Sequence, residues 1–156
     1  MGKRTRKQKT MRQKRIDVIS EIYTCELLEQ KLDYQKISLE NLSLDILELR
    51  RLKELEQRYD FIVTVFKKII NTEWDWQRVS PLVKAILINA ANEFWTIEPK
   101  IVINEAVEIT KLFFNTPEED GIERIENRIY KFVNGLLENF YKFLIKLEAQ
   151  VQTQAK

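Results

Sequence analysis

The chain has 156 residues, 44% of them apolar, so it is long enough to form one domain with a substantial hydrophobic core. It contains 26 basic and 24 acidic residues, no histidine and a single cysteine. This composition excludes an intramolecular disulfide framework, and no apolar run approaches the length of about 18 residues that a membrane helix needs. We therefore expect a single globular domain in a cytoplasmic location.

The chain begins with a strongly basic segment. Residues 1–15 contain eight basic residues and no acidic one, and these eight are Lys3, Arg4, Arg6, Lys7, Lys9, Arg12, Lys14 and Arg15. The rest of the chain holds 18 basic against 24 acidic residues, so a positive arm is attached to a negative body. Residues 1–12 have no apolar pattern, and we predict that they form a disordered arm that binds phosphates.

Helical periodicity starts directly after the arm. Apolar residues repeat at three- and four-residue steps over 16–27, which predicts a helix that packs on the core. Arg12, Lys14 and Arg15 fall on its first turn. The basic arm is therefore predicted to be attached to the core at one end.

Residues 33–73 contain neither Gly nor Pro, and their apolar residues keep a helical period throughout. One helix of that length is unusual in a globular domain. We therefore predict two helices, with an N-cap at Ser38 and a break within the charged segment 50–58. Trp74 is predicted to close one end of the core. For Trp76, a place in the core and a role in base stacking both remain as alternatives.

Two apolar helices follow. Ser80 and Pro81 are typical of a helix start, with an N-cap followed by Pro at the first helical position. This helix is apolar nearly all round, which predicts that it lies at the centre of the fold. The second helix begins near Pro99, and its Asn104 and Glu105 are predicted to hold it against its neighbours through polar bonds.

The last predicted helix is long. A capping-box pattern at 116–119 and apolar periodicity over 122–147 predict a helix from about 117 to 149, roughly 50 Å at 1.5 Å per residue. A polar tail is predicted at 151–156. Gly135 interrupts the helix, at a cost of about 1 kcal/mol relative to Ala. We therefore expect another helix to approach closely at Gly135, with Asn134 making a buried hydrogen bond.

The composition argues against catalysis. Without histidine the chain lacks the commonest general base and the commonest metal ligand. Three glycines, at positions 2, 121 and 135, are too few for a Gly-rich phosphate-binding loop. We predict that the protein is not an enzyme and uses no cofactor or metal, which leaves a binding function.

Several sequence blocks resemble the NusB transcription antitermination family, in the family's order. They are WDWQRV, KAIL, EF, INEAVE and KFVNGLL, at 74–79, 84–87, 93–94, 103–108 and 131–137. The resemblance implies an all-α, NusB-like bundle of six or seven helices in two packed groups with a long C-terminal helix. The predicted domain spans 13–150.

The resemblance also implies a function. NusB proteins bind single-stranded transcript RNA in transcription antitermination and ribosomal RNA transcription, with a NusE-type small-subunit ribosomal protein, in a complex associated with RNA polymerase. Arg15 and Tyr23 fall where the family has an Arg and a Tyr, and Lys131 and Phe132 open a block near its RNA-binding face. The predicted RNA-binding residues are therefore the eight basic residues of segment 1–15 together with Tyr23, Lys131 and Phe132. For Tyr23 and Phe132, a place in the core is an equal alternative.

Two positions in the central helix depart from the family, with Ile88 in place of its usual Arg and Asn92 in place of its usual Tyr. We interpret Ile88 as an apolar surface position. Together with Asn92 and the acidic body, this favours a second hypothesis, a NusB-fold protein interaction module that has lost RNA recognition. Ile88 and the long last helix also leave apolar surface that is compatible with a weak homodimer. A third hypothesis is a detached relative of the NusB-like domain found in some ribosomal RNA methyltransferases.

Overall fold

The computed structural model describes residues 8–70, 75–114 and 122–154, with side chains throughout these ranges except at 122–127. The described residues form six α-helices and a short 3₁₀ helix. They are α1 (Met11–Leu27), α2 (Tyr34–Glu40), α3 (Ile46–Ile69), the 3₁₀ helix (Trp76–Arg78), α4 (Pro81–Glu93), α5 (Pro99–Phe114) and α6 (Ile122–Gln154). The predicted all-α class is confirmed. Within the described ranges, no helix is both long enough and apolar enough to cross a membrane.

Helix α4 is the centre of the fold, as its apolar pattern predicts. Ser80 caps it by accepting a hydrogen bond from the N–H of Val83 at 3.3 Å, and Pro81 takes the first helical position. Every residue from 85 to 94 is buried. Helices α1, α3, α5 and α6 all pack on α4, and this arrangement covers its apolar surface on all sides.

Both departures in the central helix lie in this buried region. Ile88 has no exposed surface, so its interpretation as an apolar surface position is wrong. Asn92 is also fully buried, and its Oδ1 accepts a hydrogen bond from Nη1 of Arg58 on α3 at 2.9 Å. Neighbouring helices cover both residues, so neither leaves apolar surface for a partner or a second copy.

The break between α2 and α3 lies at 41–45, and the predicted break within 50–58 is wrong. Segment 50–58 stays helical because its charged residues lie on one side while Leu52 and Leu55 have no exposed surface. Burial of two leucines stabilises this part of α3 by roughly 1.5 to 3 kcal/mol each. Charge content alone therefore did not mark a helix end.

A reciprocal capping box starts α3. The carboxylate of Asp45 accepts a hydrogen bond from the N–H of Glu48 at 2.9 Å, and the carboxylate of Glu48 accepts one from the N–H of Asp45 at 2.8 Å. The cap is thus Asp45, and the predicted N-cap at Ser38 is wrong because Ser38 lies inside α2. The capping box satisfies two backbone N–H groups, so a new helix can begin here although neither Gly nor Pro marks its start.

Stacked aromatic rings fill the core beside the 3₁₀ helix. Trp76 stacks on Phe66 of α3 with ring centroids 5.1 Å apart, and Phe66 contacts Phe140 of α6 at 4.8 Å. Only 5% of Trp76 is exposed, so it belongs to the core and offers no face to an RNA base. Trp74, for which this place was predicted, lies outside the described residues.

Helix α6 extends to Gln154, beyond its predicted end at 149 and through part of the predicted polar tail. Its predicted start at 117 lies outside the described residues. A Cβ atom added at Gly135 would have no neighbour within 4 Å, so the expected close approach of another helix is wrong. Asn134 donates instead to Glu138 one turn later at 3.2 Å, in an exposed hydrogen bond.

Replacing Gly135 with Ala is expected to raise the free energy of unfolding by about 1 kcal/mol, because Gly is that much less favourable than Ala within a helix and the site is open. Urea denaturation followed by circular dichroism measures the change. Asn139→Ala, at an exposed position one turn away, serves as the control and should give a smaller gain of roughly 0.5 kcal/mol. A decrease in stability in Gly135→Ala would show that this glycine has a conformational role that the open site does not reveal.

Candidate functional site

The basic N-terminal segment lies against the folded body wherever the structure describes it. Helix α1 begins at Met11, and the hydroxyl of Thr10 caps it by accepting a hydrogen bond from the N–H of Gln13 at 3.1 Å. Residues 8–12, which the sequence assigns to a disordered arm, are thus part of this ordered helix start. The other predicted phosphate-binding residues of the arm lie outside the described residues and remain predictions, namely Lys3, Arg4, Arg6 and Lys7.

The two lysines of this segment bind carboxylates at the start of α3 and on α1. Nζ of Lys9 lies 2.7 Å from Oε1 of Glu48 and 2.9 Å from Oδ2 of Asp17. Nζ of Lys14 lies 3.1 Å from Oδ2 of Asp45. The capping box of α3 is therefore also the anchor for the N-terminal lysines.

The two arginines bind carboxylates on α4 and α5. Nε of Arg15 donates to Oε1 of Glu93 at 2.8 Å, and both side chains are buried. Arg12 donates to both carboxylate oxygens of Glu105, at 2.9 and 3.1 Å, and Nη1 of Arg15 lies 3.8 Å from the same group. Glu105 thus holds α5 against α1, as predicted, whereas Asn104 beside it is exposed.

Burial and close neighbours shift the acidic partners from their usual pKa values. Burial raises the pKa of Glu93, although Arg15 opposes this. Burial also raises the pKa of Glu48, and the adjacent Asp17 raises it further. The pKa of Asp17 shifts the other way. Burial alone would raise it, but hydrogen bonds with Glu48 and Lys9 lower it.

Only one of the two carboxylate oxygens of Glu48 accepts hydrogen bonds from the described residues. Its Oε1 accepts from Lys9 and from the N–H of Asp45, whereas its buried Oε2 has no hydrogen-bond partner among the described groups. Burial and the neighbouring Asp17 both raise the pKa of Glu48, whereas the pKa of Asp17 is lowered. Counting this pair, five carboxyl groups surround the four described cations of the segment. Little positive charge is left there for phosphates.

An open apolar cavity of about 350 Å³ lies where α6 passes the start of α4 and the end of α5. Its lining includes five apolar residues, which are Val79, Val83, Phe114, Ile129 and Phe132. Phe132 is half-buried and packs against the core. The two alternatives for Phe132 are therefore compatible, since one part of the residue contacts the core and another faces the cavity.

Two arginines, Arg78 and Arg128, also line this cavity. Both are exposed, and neither forms an ion pair with another described residue. Neither was among the RNA-binding residues predicted from the sequence, although Arg78 lies in the WDWQRV block and Arg128 lies one turn before Phe132. Lys131 is exposed on α6 without lining the cavity, and Tyr23 is half-buried on α1 against the core.

The comparison with known proteins agrees with the blocks found in the sequence. The model of the NusB family matches residues 12–142, most of the chain. The chain belongs to the NusB family. The transcription antitermination protein NusB of Sulfurimonas denitrificans is 29% identical in an alignment of 113 positions that covers 63% of this chain and 76% of that protein. A search of the solved structures found no match.

Membership of the NusB family confirms the resemblance drawn from the sequence and, with the six helices described, the NusB-like fold. The cavity of this NusB-family chain combines residues from two family blocks with residues outside them. Arg78 and Val79 come from block 74–79 and Phe132 from block 131–137. Arg128 and Ile129 lie on α6 directly before the KFVNGLL block, outside the family blocks.

Proposed function

We propose that this NusB-family protein binds single-stranded transcript RNA in transcription antitermination, with the cavity at Phe132 as a base-binding site. The observation that carries the proposal is a half-buried aromatic ring in an open apolar cavity, beside two arginines that have no carboxylate partner in the described part of the chain. Proteins that read single-stranded RNA stack unpaired bases on aromatic side chains. The relative from S. denitrificans is a transcription antitermination protein NusB by name, which supports the same process.

The N-terminal arm is proposed to supply phosphate contacts through residues 1–7. Lys9, Arg12 and Lys14 would have to leave their carboxylate partners before binding phosphate, so we expect a smaller contribution from them. Arg15 is buried in its pair with Glu93, and we assign it to the stability of the fold instead. Lys131 is exposed, and we keep it as a proposed phosphate contact. Tyr23 is also kept as a proposed RNA contact, but we expect a smaller contribution from it because it packs on the core.

We also propose a NusE-type small-subunit ribosomal protein as the partner in an antitermination complex associated with RNA polymerase. The body of the chain beyond residue 15 holds 18 basic against 24 acidic residues, a balance that favours a basic protein partner. Size-exclusion chromatography of the purified NusE-type protein with this chain is expected to show one co-eluting species. Separate elution, with RNA binding retained, would remove this partner and leave the RNA proposal standing.

The interaction module without RNA recognition keeps one of its supports, the acidic body of the chain. It also depended on Ile88 and Asn92, and both are fully buried. The weak homodimer loses the support of Ile88 and keeps only that of the long last helix. RNA binding is therefore the function to test first.

Phe132→Ala is expected to weaken binding of a single-stranded, A/U-containing RNA of about twelve nucleotides by roughly five- to hundredfold, the effect of removing one base stack. Its stability should fall by less than the roughly 3 to 5 kcal/mol typical of a fully buried Phe, because Phe132 is half-buried. Fluorescence anisotropy measures the binding and thermal denaturation the stability.

Phe143→Ala is the matched control for this experiment. Phe143 is also a half-buried ring on α6, but it does not line the cavity. Its removal should lower stability by a similar amount and leave RNA affinity unchanged. Equal RNA affinity of Phe132→Ala and the unmodified chain would contradict base binding in this cavity.

A further inference from the structure

Arg78 and Arg128 bring two positive charges to the same cavity from separate elements of the fold. Arg78 ends the 3₁₀ helix before α4, and Arg128 lies on α6, four residues before Phe132. Both are exposed and without an ion-pair partner among the described residues. This differs from Lys9, Lys14 and the two arginines of α1, whose charges all meet carboxylates.

The cavity itself offers contact area and few polar groups. Apart from the two arginines its described lining is apolar with one exception, Ser80. The hydroxyl oxygen of Ser80 already accepts the N-cap hydrogen bond from Val83. The chemistry fits a ligand with a flat, weakly polar body inside the cavity and an anionic group outside it.

We propose that Arg78 and Arg128 together form a phosphate clamp for one nucleotide of single-stranded RNA whose base lies in the cavity against Phe132. This inference depends on the proposed RNA-binding function and adds two residues to it. A guanidinium group binds phosphate through two parallel N–H donors, which orients the nucleotide as well as attracting it. Phosphate contacts fix position without reading the base, so the clamp accepts different bases, whereas the cavity requires that the base be unpaired.

The test measures RNA affinity of the full chain by fluorescence anisotropy over a range of salt concentrations, with the same A/U-containing oligonucleotide of about twelve nucleotides. In Arg78→Gln/Arg128→Gln, the slope of log affinity against log salt should become less steep by about 0.7, because the one phosphate that the clamp holds is no longer neutralised. Arg50→Gln is the control, because Arg50 is exposed and does not line the cavity. Its slope should match that of the unmodified chain.

A double-mutant cycle adds a readout that a general change in surface charge would not produce. If the clamp and Phe132 hold the same nucleotide, the reductions in affinity caused by Phe132→Ala and by the double arginine variant should be less than additive. Additive reductions would overturn the clamp, because they would place the arginines at a different part of the RNA. All these residues except Phe132 are exposed, so melting temperatures of the arginine variants should stay close to that of the unmodified chain.

The remaining outcomes separate this inference from the function on which it depends. An unchanged salt slope in the double arginine variant, with weaker binding by Phe132→Ala, would overturn the clamp alone. No RNA binding by the unmodified chain would overturn both. Binding of an acidic peptide that contains Phe, abolished by the double arginine variant, without binding of RNA, would overturn the nucleotide clamp in favour of a protein ligand.

Discussion

Arg15→Met is expected to lower the free energy of unfolding by about 3 to 5 kcal/mol at neutral pH, since it leaves a buried carboxylate without its cation. Nε of Arg15 lies 2.8 Å from Glu93, and both side chains are nearly inaccessible to solvent. Methionine keeps the apolar stem of the side chain and removes only the guanidinium group. Urea denaturation followed by circular dichroism measures the decrease.

Arg12→Met is the matched control. Arg12 lies one helical turn earlier on α1 and also binds a glutamate, Glu105, but its side chain is exposed. An exposed ion pair contributes far less to stability than a buried one, so the difference between the two variants reports the effect of burial. Equal, small decreases in both would show that Glu93 stays solvated once Arg15 is removed.

The pH dependence gives a second check on Arg15. Burial raises the pKa of Glu93 even beside Arg15, and removal of the guanidinium should raise it further. A carboxyl group whose folded pKa lies above its unfolded value destabilises the fold at pH above the folded pKa, and this penalty disappears as pH falls towards the unfolded value. The stability deficit of Arg15→Met should therefore shrink on acidification, and Glu93→Gln in the same chain should remove its pH dependence.

Deletion of residues 1–7 is expected to weaken RNA binding strongly with little change in melting temperature. If each of the four basic residues there neutralises one phosphate, they add about −2.8 to the salt slope, equivalent to a roughly fiftyfold decrease in affinity between about 50 and 200 mM salt. The shortened chain should lack this share of the slope. Fluorescence anisotropy at several salt concentrations measures it.

The position of the cut decides whether this experiment is interpretable. Deletion of 1–12 would also remove the N-cap of α1 at Thr10 and the ion pairs of Lys9 and Arg12, so stability should fall along with binding. A chain of full length with glutamine at the four basic positions 3, 4, 6 and 7 is the control for length. If both altered chains bind RNA as tightly as the unmodified chain, at matched salt, the arm makes no phosphate contacts.

Local patterns in the sequence predicted the helical class and much of its layout. Helix α4 was placed at the centre because an all-round apolar helix needs neighbours on every side, and Ser80 with Pro81 marked its start. These features depend on residues within a few positions of one another, which is why the sequence alone shows them. The position of the α2 to α3 break was missed although its capping box is just as local, because Asp45 and Glu48 stand in a run where charge suggested another site.

By itself the sequence also determined the family, the absence of histidine chemistry and the contrast between a basic start and an acidic body. Only the tertiary structure decided which charges are available, because ion pairs form between residues far apart in the chain. Arg15 and Glu93 are 78 residues apart and Arg12 and Glu105 are 93 apart, so the basic segment looks unpaired in sequence, whereas its described cations are neutralised in the fold. The cavity at Phe132 arises in the same way, since packing of α6 against α4 brings Arg128 to Arg78 and leaves both without a carboxylate partner among the residues that the structure describes.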